Sequence, residues 1–188
     1  MLKSRLDEIK TLITNDDFLS NKGLSNEVGI HTFCYNAKDE MIVRNYIEKL
    51  EIETDEKYNI IVYDLYEFFL SFLADKGILS KIESQETKAG KDKLLTKLQN
   101  LASADKLVDK MVYSPHNFGD VIFLTGIEKV FPFMRTHKIL DCMQPSFGDV
   151  PIIVLYPGDF DGQGLSLFGK LDDGNYYRAF NIIKEQTK

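Results

Sequence analysis

The stretch YNIIVY, residues 58–63, decides the fold class of this chain. Its β-branched and aromatic residues show no polar alternation beyond Asn59, which predicts a strand covered on both faces. DVIFLTG (120–126) has the same character, and IHTFCY (30–35) and PIIVLYPG (151–158) are predicted to be two further strands. Strands covered on both faces are typical of parallel sheets, so the chain is predicted to be an α/β protein.

Helical patterns alternate with these strands. Apolar residues at three-to-four spacing predict an amphipathic helix over 2–14, and a second helix is predicted from a cap at Asn36 to about Leu50. A third begins after Asp64 and closes at Lys76-Gly77. A polar surface segment over 80–93 precedes a helical pair or one long helix. A last helix over 136–143 is expected to end at Pro145.

The predicted architecture is a three-layer, mainly parallel sheet of about four to five strands flanked by helices. It is Rossmann-like or P-loop-like, without a functional phosphate loop. Residues 1–188 are read as a single domain, a size at which roughly 70% of the unfolded surface is buried. Pro157-Gly158 is expected to end the fourth strand sharply.

The spacing of Gly164, Gly169 and Lys170 is that of a phosphate-binding loop. In such a loop a Ser or Thr follows the lysine, holds magnesium and starts a helix. Here Leu171 takes that position and the turn-like LDDGNYY follows. We therefore reject the nucleotide-binding reading of this motif and expect Leu165 and Leu167 to lie in a short extended segment.

Composition limits the functional classes. With 23 Lys and Arg against 29 Asp and Glu, the net charge is −6, which argues against broad binding to nucleic acid. The apolar runs are too short to cross a bilayer, and the charged start MLKSRLDEIKTLI is not a signal peptide. Cys34 and Cys142 are interpreted as reduced, buried thiols of a cytoplasmic protein.

Catalytic signatures are missing from the sequence. His31, His116 and His137 lie far apart without a second ligand at helical spacing, and Gly-x-Ser-x-Gly does not occur. Cys142 lies in a helical apolar pattern. We expect no catalytic residue, metal or cofactor, and hence no enzyme. Asp159 and Asp161 are expected just beyond a strand's carboxyl end, where α/β sheets hold ligands, although turn hydrogen bonds are favoured over catalysis as their role.

Three loop segments carry a resemblance that extends from about Leu2 to Ile183. They contain Asn21-x-Gly23-Leu24-x-Asn26-Glu27, Thr125-Gly126…Phe131-Pro132-Phe133-x-Arg135-x-His137, and Tyr156-Pro157-Gly158…Asp161-Gly162-Gln163…Leu167-Phe168-Gly169. The chain resembles the BrxB family of bacteriophage-exclusion (BREX) defence systems. The resemblance implies a small cytoplasmic defence component without established catalysis. It also implies partners among the BREX proteins, such as the PglZ-like member of the alkaline-phosphatase superfamily.

The same resemblance directs attention to polar and aromatic loop residues as candidate interaction or polar-network sites. These are Asn26, Glu27, Arg135, His137, Asp159, Asp161, Gln163, Tyr176, Tyr177 and Arg178. Parallel topology predicts that the Arg135–His137 pair and the Asp159–Gln163 group converge at one sheet edge. They then form a structural network, a docking surface or an anion pocket. We expect a non-enzymatic adaptor; the alternative is a nucleotide- or phosphate-ester-binding protein that uses the cleft at the strand carboxyl ends.

Overall fold

A computed structural model describes residues 2–21, 29–53, 55–161, 164–172 and 180–181. Within these residues one sheet is formed by parallel strands β1 (Ile30–Tyr35), β2 (Asn59–Asp64), β3 (Asp120–Thr125), β4 (Ile152–Phe160) and β7 (Phe180–Asn181). Their spatial order is β2-β3-β4-β1-β7. Two short strands, β5 (Leu165–Leu167) and β6 (Leu171–Asp172), extend β4 as an antiparallel ribbon. The predicted α/β fold with a mainly parallel sheet is confirmed.

Helices cover both faces of this sheet. They are α1 (Leu2–Ile13), α2 (Asp16–Leu19), α3 (Glu40–Ile52), α4 (Leu65–Asp75), α5 (Ile82–Ala89), α6 (Lys91–Leu101), α7 (Ala104–Met111), α8 (Ile127–Val130) and α9 (Thr136–Ser146). Short 3-10 turns occupy Ala37–Asp39 and Leu79–Lys81. One apolar cluster contains α1 and α3, and the other contains α4 and α6 to α9, so the three predicted layers are present.

The central strands divide their side chains between the two layers. In β3, Val121 and Phe123 pack with α1 and α3, whereas Ile122 and Leu124 pack with the opposite helices. All four side chains are 0% exposed, which is why this strand contains no polar alternation. The prediction of doubly covered strands therefore holds best at the centre of the sheet.

Local signals in the sequence set the helix ends. Asp64 accepts hydrogen bonds from the backbone N–H groups of Tyr66 and Glu67 and so caps α4. Lys76 ends that helix, and Gly77 follows with a φ of 63°. The polar stretch over 80–93 contains α5, and the expected helical pair after it is α6 and α7.

Two proline predictions are wrong. Pro145 does not end α9, which continues to Ser146. The N–H that Pro145 lacks falls in the last turn, and Phe147 still bonds the Met143 carbonyl. Pro157 does not end β4 either, since it lies in register with Tyr35, the last residue of β1. Beyond that point β4 leaves the sheet and pairs with β5.

A buried carboxylate organises the amino edge of the sheet. Asp120, 2% exposed, accepts from Asn59 Nδ2 at 2.8 Å, from the Tyr113 hydroxyl at 2.9 Å and from the Asn117 N–H at 2.9 Å. Burial opposes ionisation, but these hydrogen bonds outweigh it and hold the pKa of Asp120 below its ordinary value. This network fixes the loop before β3 to the start of β2.

The described helices lack the combination of length and apolar content that a bilayer-spanning segment needs. Cys34 and Cys142 are both free thiols; Cys34 is buried as predicted, whereas Cys142 is only partly buried. That residues 1–188 form one domain stays a prediction.

Candidate functional site

A β-ribbon occupies the position of the rejected phosphate-loop motif. Leu165–Leu167 pairs with the end of β4, and the Phe168 N–H donates to the Pro157 carbonyl at 2.9 Å. The chain then turns at Phe168 and Gly169 and continues into β6. A phosphate loop leads into a helix, so this backbone differs from one.

Phe168 is the unusual residue of this turn. It has a φ of 58°, a left-handed conformation that a bulky side chain adopts only at a cost. Its side chain is nevertheless 43% exposed, and Leu171 on the same ribbon is 41% exposed. An exposed aromatic ring on a strained backbone marks a candidate binding feature.

Arg135 lies beside this ribbon. It is the residue before α9, and its guanidinium carbon lies 5.1 Å from the centre of the Phe131 ring. A small recess joins Arg135 to Phe131, Leu167 and Leu171. Arg135, Phe168 and Leu171 form what we call the hairpin surface. His137, two residues into α9, is partly buried.

Of the two carboxylates in the predicted group, Asp159 lies within β4 rather than beyond it, and Asp161 lies at the turn between β4 and β5. Asp159 is in register with Ser166, while the neighbouring pair, Gly158 and Leu167, faces the other side of the pleat. Arg135 contacts the Leu167 side, so the ribbon separates Arg135 from Asp159. Asp161 accepts from the Gly164 N–H at 2.7 Å, a turn hydrogen bond of the kind the sequence allowed.

The remaining predicted site residues lie outside the described part of the chain: Asn26, Glu27, Gln163, Tyr176, Tyr177 and Arg178. Their convergence with Arg135 and His137 stays a prediction. Within the described residues, the structure brings Arg135 to the ribbon and leaves Asp159 across it.

A second feature is a groove of about 240 Å³ at the carboxyl edge of the sheet. Its floor is apolar, with Val43, Ile47, Val62 and Leu155. Around this floor stand Tyr35, Glu40, Arg44, Glu48, Glu51, Asp64, Glu67, Thr125, Gly126 and Lys129. We call it the carboxyl-edge groove. It lies where α/β sheets usually bind ligands.

Carboxylates dominate the electrostatics of this groove. Glu40 accepts from the Tyr35 hydroxyl at 2.6 Å and pairs with Arg44 at 3.4 Å. Asp64 pairs with Lys129 at 2.6 Å. Burial, together with the charges of Glu40 and Asp64, raises the pKa of neighbouring Glu128. Glu48, Glu51 and Glu67 add further negative charge at the rim.

The sequence reasoning missed this groove, although it identified Asp64 as a helix cap. The lining comes from strand ends far apart in sequence, and only strand order reveals that they meet. One signal was present: Glu48 and Glu51 fall on the face of α3 next to its buried stripe of Val43, Ile47 and Leu50.

A metal site would need several ligating side chains close together. In the described part of the chain, His, Cys, Asp and Glu side chains form no group of three or more suited to a metal ion.

Comparison with known proteins agrees with the resemblance seen in the loops. Residues 61–182 match the profile of the family described as BREX protein BrxB. The chain belongs to the BrxB family. A BREX protein BrxB of Bacillus cereus is 41% identical over 187 residues, 97% of each chain. One of Escherichia coli is 28% identical over 186 residues, 98% of this chain and 93% of the relative.

Membership of the BrxB family gives this protein a role in a BREX phage-defence system, whose other components are plausible partners. No solved structure matches the chain significantly. The arrangement of strands and the hairpin surface are therefore described from this chain itself.

Proposed function

We propose that this protein is a non-enzymatic adaptor of a BREX system, which binds a PglZ-like protein of the alkaline-phosphatase superfamily through the hairpin surface. The observation that carries the proposal is Phe168, exposed at a left-handed φ of 58°. Strain of this kind persists only where the surrounding structure holds it, and it clusters at functional positions. Exposed aromatic and arginine side chains, such as Phe168 and Arg135, are also enriched at the centres of interfaces.

The chemistry of the hairpin surface specifies the partner surface. Phe168 and Leu171 supply an apolar contact. Arg135 lines the recess that also contains Leu171, and Lys170 is exposed in the same turn as Phe168, so positive charge lies close to this contact. The matching surface on the PglZ-like protein is an apolar pocket with an acidic rim. The adaptor works in the cytoplasm, where the Cys34 thiol stays reduced.

Co-purification tests the proposal. The tagged protein is co-expressed with the other proteins of its BREX operon and purified at physiological salt. We expect the PglZ-like protein to co-purify, and Phe168→Asn to abolish this because Asn tolerates the backbone but lacks the ring. Phe118→Asn is the matched control, since Phe118 is 69% exposed in the loop before β3 at the opposite edge of the sheet.

Two results would reject the adaptor proposal. One is the absence of every operon protein from the purified wild-type sample. The other is equal recovery of the partner by Phe168→Asn and the wild type, which would reject the part of the proposal that places the interface at the hairpin surface.

The alternative function, binding of a nucleotide or phosphate ester, has the carboxyl-edge groove in its favour. The charge of the groove opposes it, because five carboxylates face two cations, Arg44 and Lys129. A phosphate would add negative charge to a site that is already negative. Thermal unfolding in the presence of ATP, with and without magnesium, tests this alternative. A bound ligand at a hundred times its Kd raises the free energy of unfolding by about 2.7 kcal/mol.

A further inference from the structure

Strand β2 forms one edge of the described sheet. It bonds to β3 alone, and Asn59 N–H donates to the Gly119 carbonyl at 2.9 Å. In a parallel pair, alternate residues direct both backbone groups to the neighbouring strand. Asn59, Ile61 and Tyr63 therefore face β3, and Ile60 and Val62 direct their N–H and C=O groups to the open side. No described residue bonds to these groups of Ile60 and Val62.

The open side is accessible along its length. The residues from Ile60 to Asp64 are all partly exposed, whereas Val121 to Leu124 of the adjacent β3 are 0% exposed. The β2 side chains pack into both apolar layers, and no described strand covers the open backbone edge. The strand sequence NIIVYD contains neither Pro nor Lys, the residues that usually protect an edge from pairing.

Negative charge beside the open edge of β2 favours a positively charged binding partner. The carboxyl-edge groove contains Val62 and Asp64 of β2 itself, and Glu48, Glu51 and Glu67 stand around them. An approaching strand would thus meet backbone donors and acceptors together with a negative rim. A second copy of this chain would bring the same carboxylates face to face, and nucleic acid would bring phosphates.

We propose that the β2 edge is a docking site for a basic, extended segment of another protein, which adds a strand to the sheet. Main-chain hydrogen bonds to Ile60 and Val62 supply affinity. Lys or Arg at alternate positions of the segment lay their aliphatic stems on the apolar floor of the carboxyl-edge groove. Their charged ends then reach Glu48 and Glu51. This docking site is separate from the hairpin surface and does not depend on the proposed adaptor role.

A displayed library of random linear peptides tests the charge preference. Selection on the wild-type protein is expected to enrich basic sequences rich in β-branched residues. Their affinity should fall about tenfold in the double variant Glu48→Lys with Glu51→Lys. The matched control is Glu83→Lys with Glu86→Lys, the same charge change at the same spacing on exposed α5, which should leave affinity unchanged. If the charge-reversed variant does not fold, the double variant Glu48→Gln with Glu51→Gln removes the same two charges without reversing them.

Amide exchange measured by NMR tests strand addition directly. A selected peptide should slow exchange at Ile60 and Val62 and leave Ile61 and Tyr63, already bonded to β3, unchanged. Enrichment of acidic peptides, no enrichment, or peptides that protect neither amide would overturn the proposal. So would a wild-type dimer, measured by light scattering, that already protects both amides. Phe168→Asn should bind the selected peptides like the wild type, which separates this result from the fate of the adaptor proposal.

Discussion

Asp64 and Lys129 join the end of β2 to α8 through an ion pair at 2.6 Å. The same carboxylate caps α4 through its other oxygen, which accepts from Tyr66 and Glu67. Asp64 therefore stabilises two helices at the carboxyl edge, α8 through the ion pair and α4 through the N-cap.

Substitutions at Asp64 separate these two roles. Asp64→Asn keeps an N-cap oxygen and loses the charge, so the free energy of unfolding should fall by about 1 kcal/mol. Asp64→Ala loses the cap as well and should cost about 2 kcal/mol. Urea denaturation at neutral pH measures both. Equal losses in the two variants would contradict the assignment of the cap.

Gly126 depends on the same carboxylate. It has a φ of 72°, and a Cβ at this position would overlap Asp64 Oδ1. Gly126→Ala should therefore cost about 2–4 kcal/mol, from strain and collision together. Gly77→Ala is the matched control, since Gly77 has a φ of 63° with nothing within 4 Å of its Cβ position. Gly77→Ala should lower the free energy of unfolding by about 1 kcal/mol. A similar loss in the two variants would show that the Gly126 position is not crowded.

The turn at Phe168 gives a prediction about stability rather than binding. Phe168→Asn should unfold at a urea concentration no lower than the wild type, because Asn tolerates the left-handed backbone that the ring strains. Phe168→Val should lower the free energy of unfolding by about 1–2 kcal/mol, because a β-branched residue adopts the left-handed conformation poorly. A Val variant as stable as the Asn variant would show that the turn is unstrained.

Removal of the Asp120 charge should weaken the amino edge of the sheet. Asp120→Asn would replace one accepting oxygen with an N–H₂ group that faces either the Asn59 donor or the Tyr113 and Asn117 donors. A buried polar group would be left unsatisfied, and the free energy of unfolding should fall by about 2–3 kcal/mol. Asp149→Asn is the control, because Asp149 pairs with His116 but its side chain is 70% exposed. It should change stability by about 1 kcal/mol or less, measured by thermal unfolding. A comparable loss at both positions would refute the network.

His31 predicts a loss of stability in acid. Burial lowers its pKa from 6.5 to about 4. Between these values the unfolded chain binds the proton more tightly than the folded one, so stability falls as pH falls from 6.5 toward 4. At pH 5 this contribution is about 2 kcal/mol. His31→Leu should reduce by that amount the difference in unfolding free energy between pH 7 and pH 5. An unchanged difference would show that His31 titrates normally.

The sequence was most informative where one local signal decided the structure. The first strand was predicted at 30–35 and observed as Ile30–Tyr35, because β-branched and aromatic residues favour a strand that is covered on both faces. The Asp64 cap and the close at Lys76-Gly77 were likewise local. The prediction that Pro157 ends β4 was wrong because the effect of a proline depends on where the neighbouring strand ends, and β1 ends opposite Pro157.

Candidate sites were harder to predict because they are assembled by strand order. Arg135 and Asp159 were both expected just beyond strand ends, but Asp159 lies within β4 and Arg135 comes after α8. The pleat of β4 and β5 then places them on opposite sides of the ribbon. The carboxyl-edge groove joins residues as distant as Tyr35 and Lys129, and no spacing in the sequence reveals that contact.

The continuity of β4 has a mechanical consequence. Its first residues lie between β3 and β1 at the middle of the sheet, and its last residues form the first arm of the ribbon that presents Phe168. A pull on the ribbon is therefore transmitted along covalent backbone into the centre of the molecule. A partner bound at Phe168 would therefore be held by a turn whose N–H donates to Pro157 of that same central strand.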